Sequence, residues 1–309
     1  MSIIARHFPA GLLLAVSLLI GSLSVAHAGK ITVEHAKGTT TLPNTPETVL
    51  VFDVASLDTL DAIGVDVAGV AGGFFPGHLS KYADDKYEKI GSLFEPDYEA
   101  VNAAEPDLII TGGRSTAAYG DLSGIAPTID LTVDQHDYLA SAVAHAETLG
   151  KIFGKEDAVK EKIAALETSV EALKTDAKGA GDALIVLTTG GHMSAYGPGS
   201  RFGMIHDEFG ILPAVDDLDP AVHGQAISFE FISKIDPEWL FVIDRDAAIE
   251  QSGQAAAKLL DNELVRQTTA WKKGQVVYLD PVNWYLIGSG LTALQNQVDE
   301  VSAALTETR

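Results

Sequence analysis

Two α/β lobes with largely parallel sheets, joined by one long helix, are what this 309-residue sequence predicts. Three observations lead there. Strand-like apolar runs alternate with helical stretches in both halves. One supersecondary unit is written twice, once per half, which points to two similar lobes. The middle of the chain carries no strand signal at all. The length allows two domains and a large core.

The chain opens with a pattern that predicts a cleaved secretory signal over residues 1–28. Arg6 gives a short positive start, residues 11–25 are apolar, and Ala26-His27-Ala28 has the small-x-small spacing of a cleavage site. The apolar run is short for a bilayer span. The sequence has no cysteine, so an exported product has no disulfides and lacks the residue a lipoprotein needs for its anchor. A free periplasmic protein is expected.

In the first lobe, expected over residues 29–153, the clearest strands are 48–52, 67–70 and 108–111, with a short helix at 57–63 ended by Gly64. Residues 138–178 read as helix, split by Gly154. In the second piece Val159, Ile163, Leu166, Val170 and Leu173 form one apolar stripe at four-three spacing. This segment, 154–178, is the expected connecting helix; at about 1.5 Å per residue it extends roughly 30–35 Å. Gly179 and Gly181 stop it. No Ser/Gly-rich linker loosens the lobes. The second lobe, 179–309, has strands at 183–188, 240–243 and 276–279.

The repeated unit reads Glu, six residues, Pro, seven residues, Arg. It runs from Glu99 through Pro106 to Arg114, and again from Glu230 through Pro237 to Arg245. Each glutamate begins a short helix (99–104, 230–234), the proline ends it, and an apolar strand leads to the arginine. Both charges therefore fall toward the carboxyl rim of a sheet, where ligands bind in open α/β folds. The glutamates also suit the first helical turn for dipole reasons alone, worth roughly 0.3–1 kcal/mol, and spacing does not decide between the two roles.

The sequence holds 21 basic and 43 acidic residues, a net charge of −22, which argues against nucleic acid. Arginine is scarce: Arg6, Arg114, Arg201, Arg245, Arg266 and Arg309 are all there are. Arg201 follows a Gly197-Pro198-Gly199 turn, with Ser200 as the expected N-cap of a following helix, a natural anion site. His223 lies in a loop before the second glutamate helix, and Tyr285 directly follows the last strand. They have no metal-ligand spacing in sequence. Trp284 suits either core or pocket wall. His136, His145, His192 and His206 read as surface residues. No catalytic constellation is present: the sequence has no G-x-S-x-G, no H-E-x-x-H, no Walker lysine and no cysteine nucleophile.

These residues carry a resemblance. The stretches KYADDKYEKIGSLFEPDYEAVNAAEPDLII, SAYGPGSRFGMIHDEFG, HGQAISFEFISKIDPEWLFVIDR and VVYLDPVNWYLIGSGL are similar to periplasmic substrate-binding proteins of iron-siderophore ABC transporters. The likeness is to the branch for catecholates of the petrobactin and enterobactin type. It spans essentially the whole chain after residue 28. The resemblance implies a class III binding-protein fold, two Rossmann-like lobes on one long helix. It implies a monomer that is not an enzyme, with no intrinsic cofactor and ferric iron carried as a siderophore complex. It assigns Arg114, Arg201 and Arg245 to a basic pocket, with Trp284 beside it. It makes His223 and Tyr285 iron ligands where the siderophore leaves sites open. Glu99 and Glu230 become docking points for an inner-membrane permease.

The chemistry agrees. A ferric catecholate is anionic, guanidiniums stay charged and present planar donors, and ferric iron prefers hard oxygen ligands. A haem or cobalamin binder of the same fold is the alternative, and a secreted hydrolase of an anionic substrate a more distant one.

Overall fold

The computed structural model describes residues 29–307 except 74, 76, 219–222 and 250–254. The expected secretory signal lies outside the described residues. An antiparallel hairpin, β1 (Ile31–His35) with β2 (Gly38–Leu42), comes first. It is tied down by Thr40 Oγ1, which donates to the Thr128 carbonyl at 2.7 Å. The first sheet follows: β3 (Val49–Val51), β4 (Gly69–Val70), β5 (Glu88–Lys89), β6 (Leu108–Thr111) and β7 (Thr128–Asp130). Its order is β5-β4-β3-β6-β7 and every pairing is parallel. β3 and β6 are buried at every position, as expected of continuous apolar runs in a sheet covered on both faces.

The second sheet is mixed. β8 (Asp182–Thr189), β12 (Trp239–Asp244) and β13 (Val276–Leu279) run parallel at the predicted places. Short β10 (Leu212–Pro213) pairs parallel to β8. On the other side β9 (His192–Tyr196) and β11 (Gln225–Ile227) add antiparallel strands that periodicity did not reveal. The β8–β9 hairpin turns on Gly190 (φ 54°) and Gly191 (φ 80°). Two successive positive φ values define the tight turn that matches strand twist, and glycine reaches them without steric cost.

Helices Tyr138–Phe153 and Glu156–Ala177 meet at Gly154, which adopts φ 63° at the junction. The five-residue stripe on the second helix is fully buried, but it serves two cores. Val159 and Ile163 pack with the first sheet's residues, while Leu166, Val170 and Leu173 pack with the second's. At about 1.5–3 kcal/mol per buried side chain, this one face stabilises both lobes and fixes the helix between them.

A second connection runs the other way. The C-terminal helix Leu291–Glu307 packs along Glu156–Ala177, yet Leu291 and Ala293 belong to the first lobe's core. Its first turn is capped from that lobe. Asp58 Oδ2 accepts the N–H groups of Thr292 (2.8 Å) and Ala293 (3.2 Å), and Asp58 also pairs with His78. Asp58 is wholly buried, and Gly290 is needed because a Cβ there would collide with the Asp58 carboxylate.

The repeated unit is repeated in the backbone too. Helices Tyr98–Ala103 and Phe229–Ile235 carry Glu99 and Glu230 as exposed second residues. The residues just before the two prolines, Glu105 (φ 46°) and Asp236 (φ 52°), are the non-glycine positions with positive φ among the described residues. The acids beside the prolines have local duties. Asp107 accepts the Glu47 and Thr48 N–H groups, and Asp236 accepts that of Thr269.

Candidate binding site

Each strand of the repeated unit ends in its arginine. β6 stops at Thr111, and Gly112-Gly113 turn the chain so that Arg114 enters a short 3₁₀ helix, Gly113–Ala118. Gly112 is required by close approach: a Cβ there would lie 2.9 Å from the Asp53 carboxyl carbon. β12 stops at Asp244, whose side chain caps the turn begun by Arg245. Arg201 comes from the loop after β9. Here the structure differs from expectation. No helix starts at Ser200; its hydroxyl donates to the Gly197 carbonyl at 2.5 Å, and a four-residue helix begins at Met204. Arg201 is placed by a turn, not by a helix N-terminus.

The three guanidiniums converge on Tyr285. Arg245 Nε donates to the phenol oxygen at 2.8 Å. Arg201 and Arg114 both donate to the Tyr285 carbonyl, at 2.6 and 2.7 Å, and Arg114 also to the Leu286 carbonyl at 3.0 Å. The Cζ atoms lie 4.3 Å (Arg201), 5.4 Å (Arg114) and 5.6 Å (Arg245) from the ring centre. One residue thus offers a π face, a carbonyl and a phenol to three cations, which offsets their mutual repulsion. The segment that presents it, Val282–Ile287, is π-helical; the wider turn is a common device where a helix bends for a site.

The electrostatics follow. Burial pushes the Arg114 guanidinium down, and Arg201 beside it does the same. For Tyr285, burial pushes the phenol up, but the Arg245 hydrogen bond and the charges of Arg201 and Arg245 outweigh it and hold the phenol below its ordinary range. Arg201 and Arg245 thus favour the ionised phenol more than water does for an isolated tyrosine.

Arg114, Arg201, Trp284 and Tyr285 line a cavity of about 370 Å³ between the lobes. Phe52, Asp53, Leu131, Val133, Gln135 and Tyr138 of the first lobe line it as well. Trp284 is both core and wall: it is buried against Phe209, and its indole N–H donates to Glu300 at 2.8 Å. Arg245 reaches Tyr285 from the β12 side and is steadied by Thr189 Oγ1 at 3.2 Å.

A family model described as periplasmic binding protein matches residues 49–282. The chain belongs to that family. Among periplasmic binding proteins and their relatives it is 44% identical to the petrobactin-binding protein YclQ of Bacillus subtilis, over 89% of this chain and 88% of that one. The ferric-anguibactin-binding protein FatB of Vibrio anguillarum is 33% identical over 88% and 86%. The crystal structure of YclQ superposes with a TM-score of 0.86, covering 89% of this chain and 98% of that one. The catecholate-siderophore binding protein VctP of Vibrio cholerae gives 0.84 at 36% identity, covering 89% and 99%. The fold is the class III periplasmic binding protein fold, two Rossmann-like lobes on a long helix.

Of the residues singled out in the sequence, the structure brings Arg114, Arg201, Arg245, Trp284 and Tyr285 together. His223 is exposed in the turn before β11, and no described hydrogen bond links it to Tyr285 or the arginines. His206 is not a surface residue: it is buried and bonded to the Ile211 carbonyl at 2.9 Å. Three cavity residues went unnoticed in the sequence. Asp53 had a signal, an acid between a strand and a helix that caps the Ser56 N–H at 2.8 Å. Gln135 and Tyr138 had none.

Proposed function

We propose that this protein captures a ferric catecholate siderophore between its lobes and delivers it to an inner-membrane ABC permease for iron uptake. The carrying observation is the convergence of three guanidiniums on one tyrosine at an interlobe cavity, in a chain of net charge −22. Such a local positive site on an acidic protein suits an anionic ligand with planar oxygen donors. The names of the relatives YclQ, FatB and VctP support the same ligand class.

In this reading the boundaries are 29–153 and 179–309 for the lobes, with 154–178 connecting them. Arg114, Arg201 and Arg245 hold the catecholate oxygens, and Trp284 forms the adjoining wall. Tyr285 and His223 complete the iron coordination of a tetradentate siderophore, His223 arriving from its exposed turn. Glu99 and Glu230, both exposed, dock on the permease. The protein works as a periplasmic monomer, released by cleavage after Ala28 and not lipid-anchored, with no catalytic role and no resident cofactor.

Fluorescence-quenching titration with ferric bis- and tris-catecholates tests the ligand class. Submicromolar binding is expected. Absence of binding at micromolar concentration, with haem or cobalamin binding in its place, would overturn the proposal.

A further inference from the structure

The cavity is not uniformly basic. Besides its arginines, its lining holds hydrogen-bond acceptors from the first lobe. Asp53 lines the cavity there. One of its oxygens, Oδ2, is committed to Ser56, accepting both its N–H at 2.8 Å and its hydroxyl at 2.6 Å. The other, Oδ1, has no hydrogen bond among the described residues; Asp53 feels the positive charge of Arg114 without forming an ion pair with it. In the same lining, Gln135 Oε1 is buried and has no hydrogen-bond partner. An unpaired buried acceptor costs about 1–3 kcal/mol and calls for an explanation.

The lining therefore mixes two characters: guanidinium donors, and the acceptors of an acid and an amide carbonyl. A ligand made only of anionic catecholate oxygens satisfies the first and leaves the second empty. We infer that Asp53 and Gln135 form a second subsite, which accepts hydrogen bonds from a cationic N–H group in the scaffold linking the catecholates. This rests on the ferric-catecholate reading above and narrows it to scaffolds that carry an amine. The helix-capping role of Asp53 explains only Oδ2, and it does not explain Gln135. Gly112 adds to the case. Only a residue without a side chain leaves the Asp53 carboxyl room beside the strand end that carries Arg114, so the acid is held at the cavity by construction.

Two ferric bis-catecholamides test this, identical except that the linker holds a secondary amine, protonated at neutral pH, or an ether oxygen. Wild-type protein is expected to prefer the amine probe by about tenfold, as one charge-assisted hydrogen bond supports. Asp53→Asn keeps the cap, since asparagine serves that position equally well, but places an NH₂ group in the cavity. Its preference is expected to fall to about twofold or below. Gln135→Leu provides the independent variant, leaves the helix cap untouched, and is expected to lower the preference about threefold.

Equal affinity of the wild type for both probes overturns the subsite alone. So does an unchanged preference in Gln135→Leu together with Asp53→Asn. Binding of neither probe to the wild type overturns the ferric-catecholate reading and the subsite with it.

Discussion

Replacing Tyr285 by phenylalanine separates the two ways this residue can serve the site. The substitution removes one oxygen. The ring stays, and with it the three cation–π contacts. The backbone carbonyl stays, and with it the bonds from Arg114 and Arg201. What is lost is the 2.8 Å bond from Arg245 Nε. A hydrogen bond to a charged group contributes roughly 1.5–3 kcal/mol. The Arg245 side chain is 34% exposed and retains Thr189, so screening reduces the loss to about 1–2 kcal/mol. The melting temperature should fall by only about 2–6 °C, which leaves a folded protein to assay. Spectrophotometric titration should show the loss of one phenol that ionises below the ordinary value of 10.0. With a ferric bis-catecholate, the variant should lose the tyrosinate-to-iron charge-transfer band and bind more weakly. A tris-catecholate fills the iron's coordination sphere and should bind within about threefold of wild type. Equal weakening for both complexes would refute iron ligation and leave Tyr285 as a post for the arginines. An unchanged bis-catecholate spectrum would refute it outright.

The other expectations concern the arginines, the docking faces and the link between the lobes. Arg201→Met, which removes one carbonyl bond and one charge, should weaken tris-catecholate binding by about tenfold or more, measured by quenching. Glu99→Gln with Glu230→Gln should leave siderophore affinity untouched while impairing iron uptake through the cognate permease; normal uptake by the double variant would count against the docking role. Asp58→Ala strands the N–H groups of Thr292 and Ala293 together with His78, and should cost about 3–5 kcal/mol in thermal or urea unfolding. His78 adds a pH signature. Its hydrogen bond to Asp58 raises it above its ordinary 6.5, against burial and aided by the charges of Asp58, Asp61 and Asp280. A raised folded-state value means its contribution is fully present below pH 6.5 and is lost as pH climbs through the folded value. Stability should therefore decline on the alkaline side of 6.5, and His78→Gln should flatten that part of the profile.

The alternation of strands and helices, the buried stripe at 159–173 and the repeated unit were legible because each is a local pattern whose period or punctuation survives in one dimension. The strand 276–279 and the helix 138–153 were read to the residue. What resisted reading was whatever depends on contacts between distant segments. The antiparallel strands β9 and β11 lack strong periodicity; pairing of β9 onto β8, and of β11 onto β9, makes them strands. Nothing near Asp58 announces that it caps a helix more than two hundred residues later.

The site shows the same division. Arg114 and Arg245 were legible as equivalent strand ends, but the symmetry that reveals them does not extend to their partners. Arg245 meets the Tyr285 phenol within its own lobe, whereas Arg114 crosses to the carbonyls of Tyr285 and Leu286. Two residues in equivalent sequence positions therefore do different things. The crossing arginine ties ligand binding to the relative placement of the lobes. Any ligand oxygen that draws Arg114 away from those carbonyls must replace two cross-lobe hydrogen bonds of 2.7 and 3.0 Å. Ligand affinity and lobe geometry are then one equilibrium. A variant that loosens further cross-lobe bonds, those of Asp58 to the C-terminal helix, should change siderophore affinity without touching the cavity. Unaltered affinity in Asp58→Asn, a milder change than alanine, would show that the Asp58 cap takes no part in this equilibrium.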